Sequence, residues 1–495
     1  MKTDKKSESG IDLITPIIDI IHELLSLLLK LSWELGKKSA FKVLKGEKEL
    51  KSIERKLLFK KKAANGKDEL GYSSSEKRPM KLNEIDFGKH SFIVGAAGFG
   101  KTNLISILQE NSLNQNKPII FFDPKGDSEA LETFKVLCKL KGKNFYIFSE
   151  HHEESIQLNP LKEGTTSQIV ERVMSAFEWS EQFYKDQAER ELRKTVKELK
   201  SREIEVSLKS IYDLMISHKQ CDKTLGVISK LENIVESDFG RLLRGGENSK
   251  TFSQIRKEKA CLYIGLSTQG YGETAMALGK IFLGELLFHS YSTLVNTKNS
   301  HNSMKNSISV FFDEFGSLVS PRFIELQNKC RGAGIELTMA VQTSSDIDRV
   351  DPTLTKQILE NAANYFIFKQ RLDEGASVFS NAIGTILTDK KTFVTEDGDK
   401  QSKGSVREVN ELIVHPDIIK NLKVGQCVLL RHNPTRVDLI NIRNRRLNIV
   451  VEDKDEKPAV VETTTKVEDS GHSRIDTGIN LPNSFEVGSQ NNQPI

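Results

Sequence analysis

The sequence predicts an α/β fold interrupted by an all-α segment. Three observations carry that prediction. A glycine-rich loop, Gly95-Ala96-Ala97-Gly98-Phe99-Gly100-Lys101-Thr102, joins a short apolar run to a helical one. Strand-like apolar runs then alternate with helical ones, the pattern of parallel βαβ units. Between residues 167 and 235 the alternation stops, and the chain turns charge-rich and almost strand-free.

The bulk numbers set bounds. A chain of 495 residues allows about two to four domains. Its hydrophobic fraction of 37% is low for a compact enzyme, so part of the chain is expected to be solvated helix or tail. A net charge of +4 is too mild to name a nucleic-acid partner. Five scattered cysteines form no CxxC pair, which argues for a reducing cytosol without disulfides or a zinc site.

Residues 1–36 are expected to hold an amphipathic N-terminal helix. Thr15-Pro16 suits its start, Gly36 its end, and Ile14, Ile17, Ile18, Ile21, Leu24, Leu25, Leu28, Leu31 and Leu35 line one side. Charges interrupt the stretch too often for the ~20 apolar residues of a membrane span. It reads as a helix packed on protein, or as an interfacial anchor. Residues 37–80 read as a basic helix and linker, with Lys37, Lys38, Lys42, Lys45 and further lysines able to meet anionic headgroups.

Residues 81–165 and 251–450 read as a nucleotide-binding α/β domain, with strands at 90–94, 118–122, 144–148, 261–266, 308–312, 335–341 and 365–368. Residues 166–250 read as the all-α domain. Segments 426–432 and 436–442 flank Asn433-Pro434 as a hairpin. Lys390 and Lys391, close to Phe393, suit a pore lining or a solvated hairpin. Residues 451–495 read as a disordered acidic tail.

Chemistry begins at residues 95–102. Glycines let successive backbone N–H groups converge on phosphates, and the helix that follows aims its positive end at the same anion. Lys101 would reach the β- and γ-phosphates and Thr102 would hold Mg2+. An apolar strand delivers Asp313 and Glu314 at its end. Asp313 is the second Mg2+ anchor and Glu314 the general base for an attacking water. Asp123-Pro124-Lys125-Gly126-Asp127 ends a neighbouring strand. Alone it reads as a turn; beside the loop, Asp123 and Lys125 become candidate nucleotide contacts. Gln342 ends another strand and suits a γ-phosphate sensor. Arg331, near a helix end, reads as a surface residue.

Taken in order, these pieces resemble the type IV coupling proteins, the TraD/TraG-like ATPases of conjugation and type IV secretion. The match adds Asn159-Pro160-Leu161, Phe239-Gly240-Arg241-Leu242-Leu243, Tyr263-Ile264-Gly265-Leu266, Cys330-Arg331-Gly332-Ala333-Gly334-Ile335, Val341-Gln342-Thr343 and Ile358-Leu359-Glu360-Asn361-Ala362. It spans about residues 85–445.

The resemblance implies a RecA-like P-loop domain with an inserted all-α domain, and a homo-hexamer with ATP at subunit interfaces. It makes Arg331 the arginine supplied across an interface and Gln342 the reader of nucleotide state. The implied partners are single-stranded DNA, its relaxase and a type IV secretion channel, at the cytoplasmic face of the inner membrane. Such proteins usually begin with two membrane-spanning helices, and residues 14–35 offer only an interrupted amphipathic stretch. The alternatives are a HerA/FtsK-like DNA motor, a protein-export ATPase, or a docking receptor with little turnover.

Overall fold

The computed structural model describes residues 66–218, 222–296, 306–396, 399–432 and 434–445. The N-terminal helix, the basic run and the acidic tail expected from the sequence lie outside the described residues.

In chain order the elements are β1 (Glu69–Ser73), β2 (Arg78–Lys81), β3 (Ser91–Val94), α1 (Lys101–Asn114), β4 (Ile119–Asp123), α2 (Ser128–Leu140) and β5 (Phe145–Phe148). Four helices follow without a strand: α3 (Thr166–Met174), α4 (Gln182–Ser201), α5 (Leu208–Ser217) and α6 (Asp222–Val235). Then come α7 (Phe252–Glu258), β6 (Cys261–Gly265), α8 (Thr268–Asn296), β7 (Ile308–Phe312), α9 (Pro321–Cys330) and β8 (Ile335–Val341). The remainder is α10 (Ser345–Asp348), α11 (Leu354–Asn361), β9 (Asn364–Ile367), α12 (Asp373–Ile383), β10 (Thr385–Glu396), β11 (Asp399–Leu412), α13 (Pro416–Lys420), β12 (Gln426–His432) and β13 (Thr435–Ile442).

Eleven strands form one sheet in the order β2-β1-β13-β12-β9-β3-β8-β7-β4-β6-β5. From β9 to β5 every pairing is parallel; from β9 outward through β12, β13, β1 and β2 every pairing is antiparallel. Strands β3, β4, β6, β7 and β9 are buried at every residue. That is why they read as unbroken apolar runs: a parallel sheet is covered on both faces.

Alternate side chains feed two cores. Ile93, Phe121, Tyr263 and Phe311 join Leu104, Leu108, Leu131 and Phe134 of α1 and α2 on one face. Phe92, Val94, Phe122, Ile264 and Phe312 join Leu278, Phe282 and Phe323 on the other, and α3–α6 pack into that same core through Val173, Leu192, Ile211 and Leu231. The Phe122 and Phe312 rings stack at 4.7 Å across β4 and β7, a contact worth about 1 kcal/mol beyond the area it buries.

Two parts of the sequence reading change. Residues 63–78 were expected to be linker, yet β1 and β2 extend the main sheet there. Their apolar anchors are single residues, Leu70 and Met80, both fully buried, so no periodicity announces them. Gly71 sits so close to β13 that a Cβ there would meet the Asn441 carbonyl oxygen at 2.1 Å. The glycine that suggested a linker instead permits the strand pairing. At residues 385–412, β10 and β11 form a separate two-stranded ribbon with Lys390 opposite Arg407.

Candidate nucleotide-binding site

Strand β3 ends at Val94, and residues 95–100 turn back above it into α1. Gly98 and Gly100 have φ of 80° and 108°, a region that side chains disfavour. Gly95 is required for space: a Cβ there would lie 2.4 Å from the Phe368 Cβ. The outer wall is built by chain after β9 and before β12. Ala96 N donates to the Lys369 carbonyl at 2.9 Å, Gly425 N donates to the Phe99 carbonyl at 3.0 Å, and the Lys369 ammonium lies 5.3 Å from the centre of the Phe99 ring.

Lys101 folds over the loop and donates from Nζ to the Gly95 carbonyl at 2.6 Å and to Ala96 at 3.4 Å. Burial holds its ammonium below the usual lysine range, against the pull of Asp313, Glu314 and Asp346, while the charge of Lys125 pushes it the same way as burial. Thr102 Oγ1 stands 3.5 Å from Asp313 Oδ2. Burial, then the charge of Asp123, pushes the Asp313 carboxyl up to about 6. A buried carboxylate facing a hydroxyl and a second acid is the chemistry that a divalent cation neutralises. Among the described residues no cluster of three or more His, Cys, Asp or Glu forms a metal site. The cation would therefore rest on Thr102, Asp313 and the ligand's own phosphates, as Mg2+ commonly does.

Glu314 occupies the left-handed region at φ 48°. Its carboxylate accepts both hydrogen bonds from Gln342 Nε2, at 3.0 and 3.2 Å. The topology explains the meeting, because β8 lies between β3 and β7 and all three end at the same edge.

Asp123 is engaged by its own turn and by the neighbouring strand. Its carboxylate accepts from Lys125 N at 3.0 Å, from Asp127 N at 2.9 Å and from the Tyr263 hydroxyl at 2.6 Å. It is 2% exposed, so it shapes the turn and leaves Lys125 as the exposed group there. Asp346 was missed. It accepts from Thr343 N at 3.2 Å and its charge is felt at Lys101. Its only sequence signal is the distance of four residues from Gln342.

Arg331 is not brought to the others. It follows α9 and precedes the seven-residue β8, so it lies at the opposite edge of the sheet, about 23 Å from Gln342 by strand rise. There it lines a cleft of about 350 Å³ with Asp86, Gln115, Lys117 and Glu336. Asn159 is also distant: its Nδ2 donates to Glu205 Oε1 at 2.8 Å and to the Val206 carbonyl at 3.0 Å, tying the loop after β5 to the segment between α4 and α5.

Comparison with known proteins agrees with this geometry. Residues 307–424 match the family described as the TraM recognition site of TraD and TraG, and residues 68–266 match the central domain of helicase HerA. No curated protein matches the chain. Among solved structures, the unbound bacterial conjugative coupling protein TrwBdeltaN70 superposes with a TM-score of 0.59 at 14% identity, covering 77% of this chain and 89% of that one. TrwB in complex with ADP and Mg2+ gives 0.57 at 14%, covering 81% and 93%. VirB4 of Thermoanaerobacter pseudethanolicus gives 0.52 at 13%, covering 78% and 98%. The RecA-like fold expected from the resemblance is thereby borne out. Among the described residues no helix is long and apolar enough to cross a membrane.

Proposed function

We propose that this chain, a P-loop ATPase of the type IV coupling-protein kind, couples ATP hydrolysis to the transfer of single-stranded DNA with its bound relaxase into a type IV secretion channel. The observation that carries this reading is the pairing of Gln342 with Glu314 beside the Thr102–Asp313 contact, with Arg331 at the far edge of the same sheet. That division suits a homo-hexamer in which each interface joins one subunit's loop to the next subunit's arginine.

In such a site the backbone N–H groups of residues 96–102 would cradle the phosphates, and Lys101 would leave the Gly95 carbonyl for the β/γ oxygens. Thr102 and Asp313 would hold Mg2+, which neutralises charge building on those oxygens. Glu314 would orient and deprotonate the attacking water, with Gln342 releasing or holding its carboxylate according to the γ-phosphate. Arg331 of the neighbour would stabilise the transferring group, a contribution of roughly 10³–10⁵ in kcat where such arginines are known. Lys125 is an exposed cation whose charge is felt at Lys101. The amphipathic pattern at 14–35 and the lysines after it support placement at the cytoplasmic face of the inner membrane.

The match to the HerA central domain favours one second reading, a motor on double-stranded DNA. The deciding experiment is ATP turnover against protein concentration with single-stranded DNA, double-stranded DNA or none, beside Lys101→Ala. Turnover that rises with concentration and with single-stranded DNA, and is lost in Lys101→Ala, supports transfer. Stimulation by double-stranded DNA alone supports the second reading. Indifference to DNA overturns both.

A further inference from the structure

We propose that His90 is a positioning residue that fixes the direction in which Arg331 leaves the subunit, by tying the turn that bears Arg331 to the base of the phosphate-loop strand.

His90 immediately precedes β3, only five residues before the phosphate loop begins, yet its ring lies at the opposite edge of the sheet. It is 2% exposed and holds φ 64°, a conformation rare for residues other than glycine. Both ring nitrogens are engaged. Nδ1 accepts from Leu337 N at 3.1 Å, and Nε2 lies 3.1 Å from the Gln327 carbonyl. Because Nδ1 accepts, Nε2 must carry the proton and donate, which fixes the neutral tautomer. Burial pushes the imidazole down to about 4, so it stays neutral at physiological pH.

Each partner belongs to the frame of Arg331. Gln327 lies in the last turn of α9, whose end is Cys330, and Leu337 is the third residue of β8. Residues 331–334 form the short turn between them. That turn is also held from its other side, where Arg256 Nη2 donates to the Ala333 carbonyl at 2.7 Å and to the Asn306 carbonyl at 2.8 Å. The Arg331 side chain itself makes no hydrogen bond or ion pair with any described residue, although everything around its backbone is clamped. A long cation presented on a braced turn loses less freedom when it engages a transition state than one on a loose loop. The sheet supplies the second half of the argument. His90 and Gly95 bracket the same strand, so the subunit's own phosphate loop and the arginine it offers share one rigid element.

The inference rests on Arg331 acting across an interface, and subunit mixing separates the two claims. An acceptor carrying Arg331→Ala keeps a complete nucleotide site but offers no arginine. A donor carrying Lys101→Ala offers the arginine but cannot turn over. The two are co-assembled and ATPase rate is read with saturating single-stranded DNA. Restored turnover supports trans action; none refutes it, whatever His90 does.

The same mixture is then made with a Lys101→Ala, His90→Asn donor. Asparagine is polar but too short to span both partners, and at φ 64° and ψ 149° it bears the same backbone strain that histidine already bears, so the substitution tests the bonds of the ring. The donor's own site is already dead, so damage to its phosphate loop cannot affect the readout. A misplaced arginine should lower restored turnover at least about tenfold, given that displacement by about 1 Å can cost 10²-fold. The acceptor's KM for ATP should stay within about twofold. Restoration equal to that by the Lys101→Ala donor overturns the proposal. Should the asparagine variant fail to fold, His90→Gln is read in the same way; it can still reach Gln327 but gives up the bond from Leu337. Here too, a donor as effective as its parent overturns the proposal.

Discussion

Gln342 and Glu314 meet through a forked contact, one amide nitrogen donating to both carboxylate oxygens at 3.0 and 3.2 Å. The glutamine follows β8 and the glutamate follows β7, so the contact crosses neighbouring strands at the edge that carries the phosphate loop. A carboxylate held this way is oriented but lends part of its charge to the amide. Replacing Gln342 by Leu is expected to lower kcat by about 10²-fold, in the range typical of a lost general base orientation, with KM for ATP nearly unchanged. A rise in KM alone would mean that Gln342 contributes only to binding.

Asp313 gives a pH prediction. Its folded carboxyl titrates near 6, above the ordinary value of 3.8. The native state therefore binds more protons than the unfolded state between those values, and stability falls as pH rises through that window. Above about pH 6 the penalty is fully present, of the order of 2–3 kcal/mol before structural relaxation. Asp313→Asn should accordingly melt higher than the parent at pH 7.5 without nucleotide or Mg2+, and the advantage should vanish near pH 4. With ATP analogue and Mg2+ the order should reverse, because only the carboxylate can hold the cation. Differential scanning calorimetry across pH, with and without ligands, reads both effects.

The phosphate loop offers two alanine substitutions with different causes. Gly95→Ala would force a methyl to within 2.4 Å of Phe368; overpacking of this kind costs about 1–3 kcal/mol, so the melting temperature should drop. Gly98→Ala meets no neighbour within 4 Å but sits at φ 80°. It should cost about 1 kcal/mol in backbone strain and weaken nucleotide binding as the loop shifts. Melting curves and binding of a fluorescent ATP analogue separate the two.

Asn159 is fully buried and bonds Glu205 and Val206 through Nδ2, while its Oδ1 accepts from Leu161 N at 3.1 Å. Asn159→Ala leaves the Val206 carbonyl without its donor and the Leu161 N–H without its acceptor, while Glu205 keeps Gly246 N and Lys162, at a cost of about 2 kcal/mol. Amide exchange should quicken in residues 159–161 and 205–207 more than in β3 or β7. Uniform acceleration would mean that the residue supports the whole core instead.

Much of the fold was legible because a parallel sheet writes itself as apolar runs. Residues 308–312 and 335–341 were read with the bounds the fold adopts. The Thr102–Asp313 contact followed from two motifs more than 200 residues apart, since each motif carries its own local geometry. Strands β1 and β2, the outermost pair of the sheet, were not legible, because each buries a single large apolar side chain, Leu70 or Met80, and small or polar residues fill the rest. The bonds of Asp123 to its own turn were not legible either: a carboxylate that binds a ligand and one that binds its own turn look alike until the neighbouring Tyr263 is seen. His90 left no trace at all. Its importance lies in what converges on it from α9 and β8, and convergence is a property of the fold.

The two ends of β8 differ in whom they serve. In the proposed reading Gln342 at one end would work on the molecule's own nucleotide, whereas Arg331 at the other would act on a neighbour's. On the proposed assembly, damage to the outward end harms a neighbour and spares its bearer. In a cell that makes both intact and Arg331-deficient copies, a minority of the deficient form would silence sites that carry no lesion of their own. Inheritance of such an allele would look dominant, whereas loss of the whole chain would look recessive.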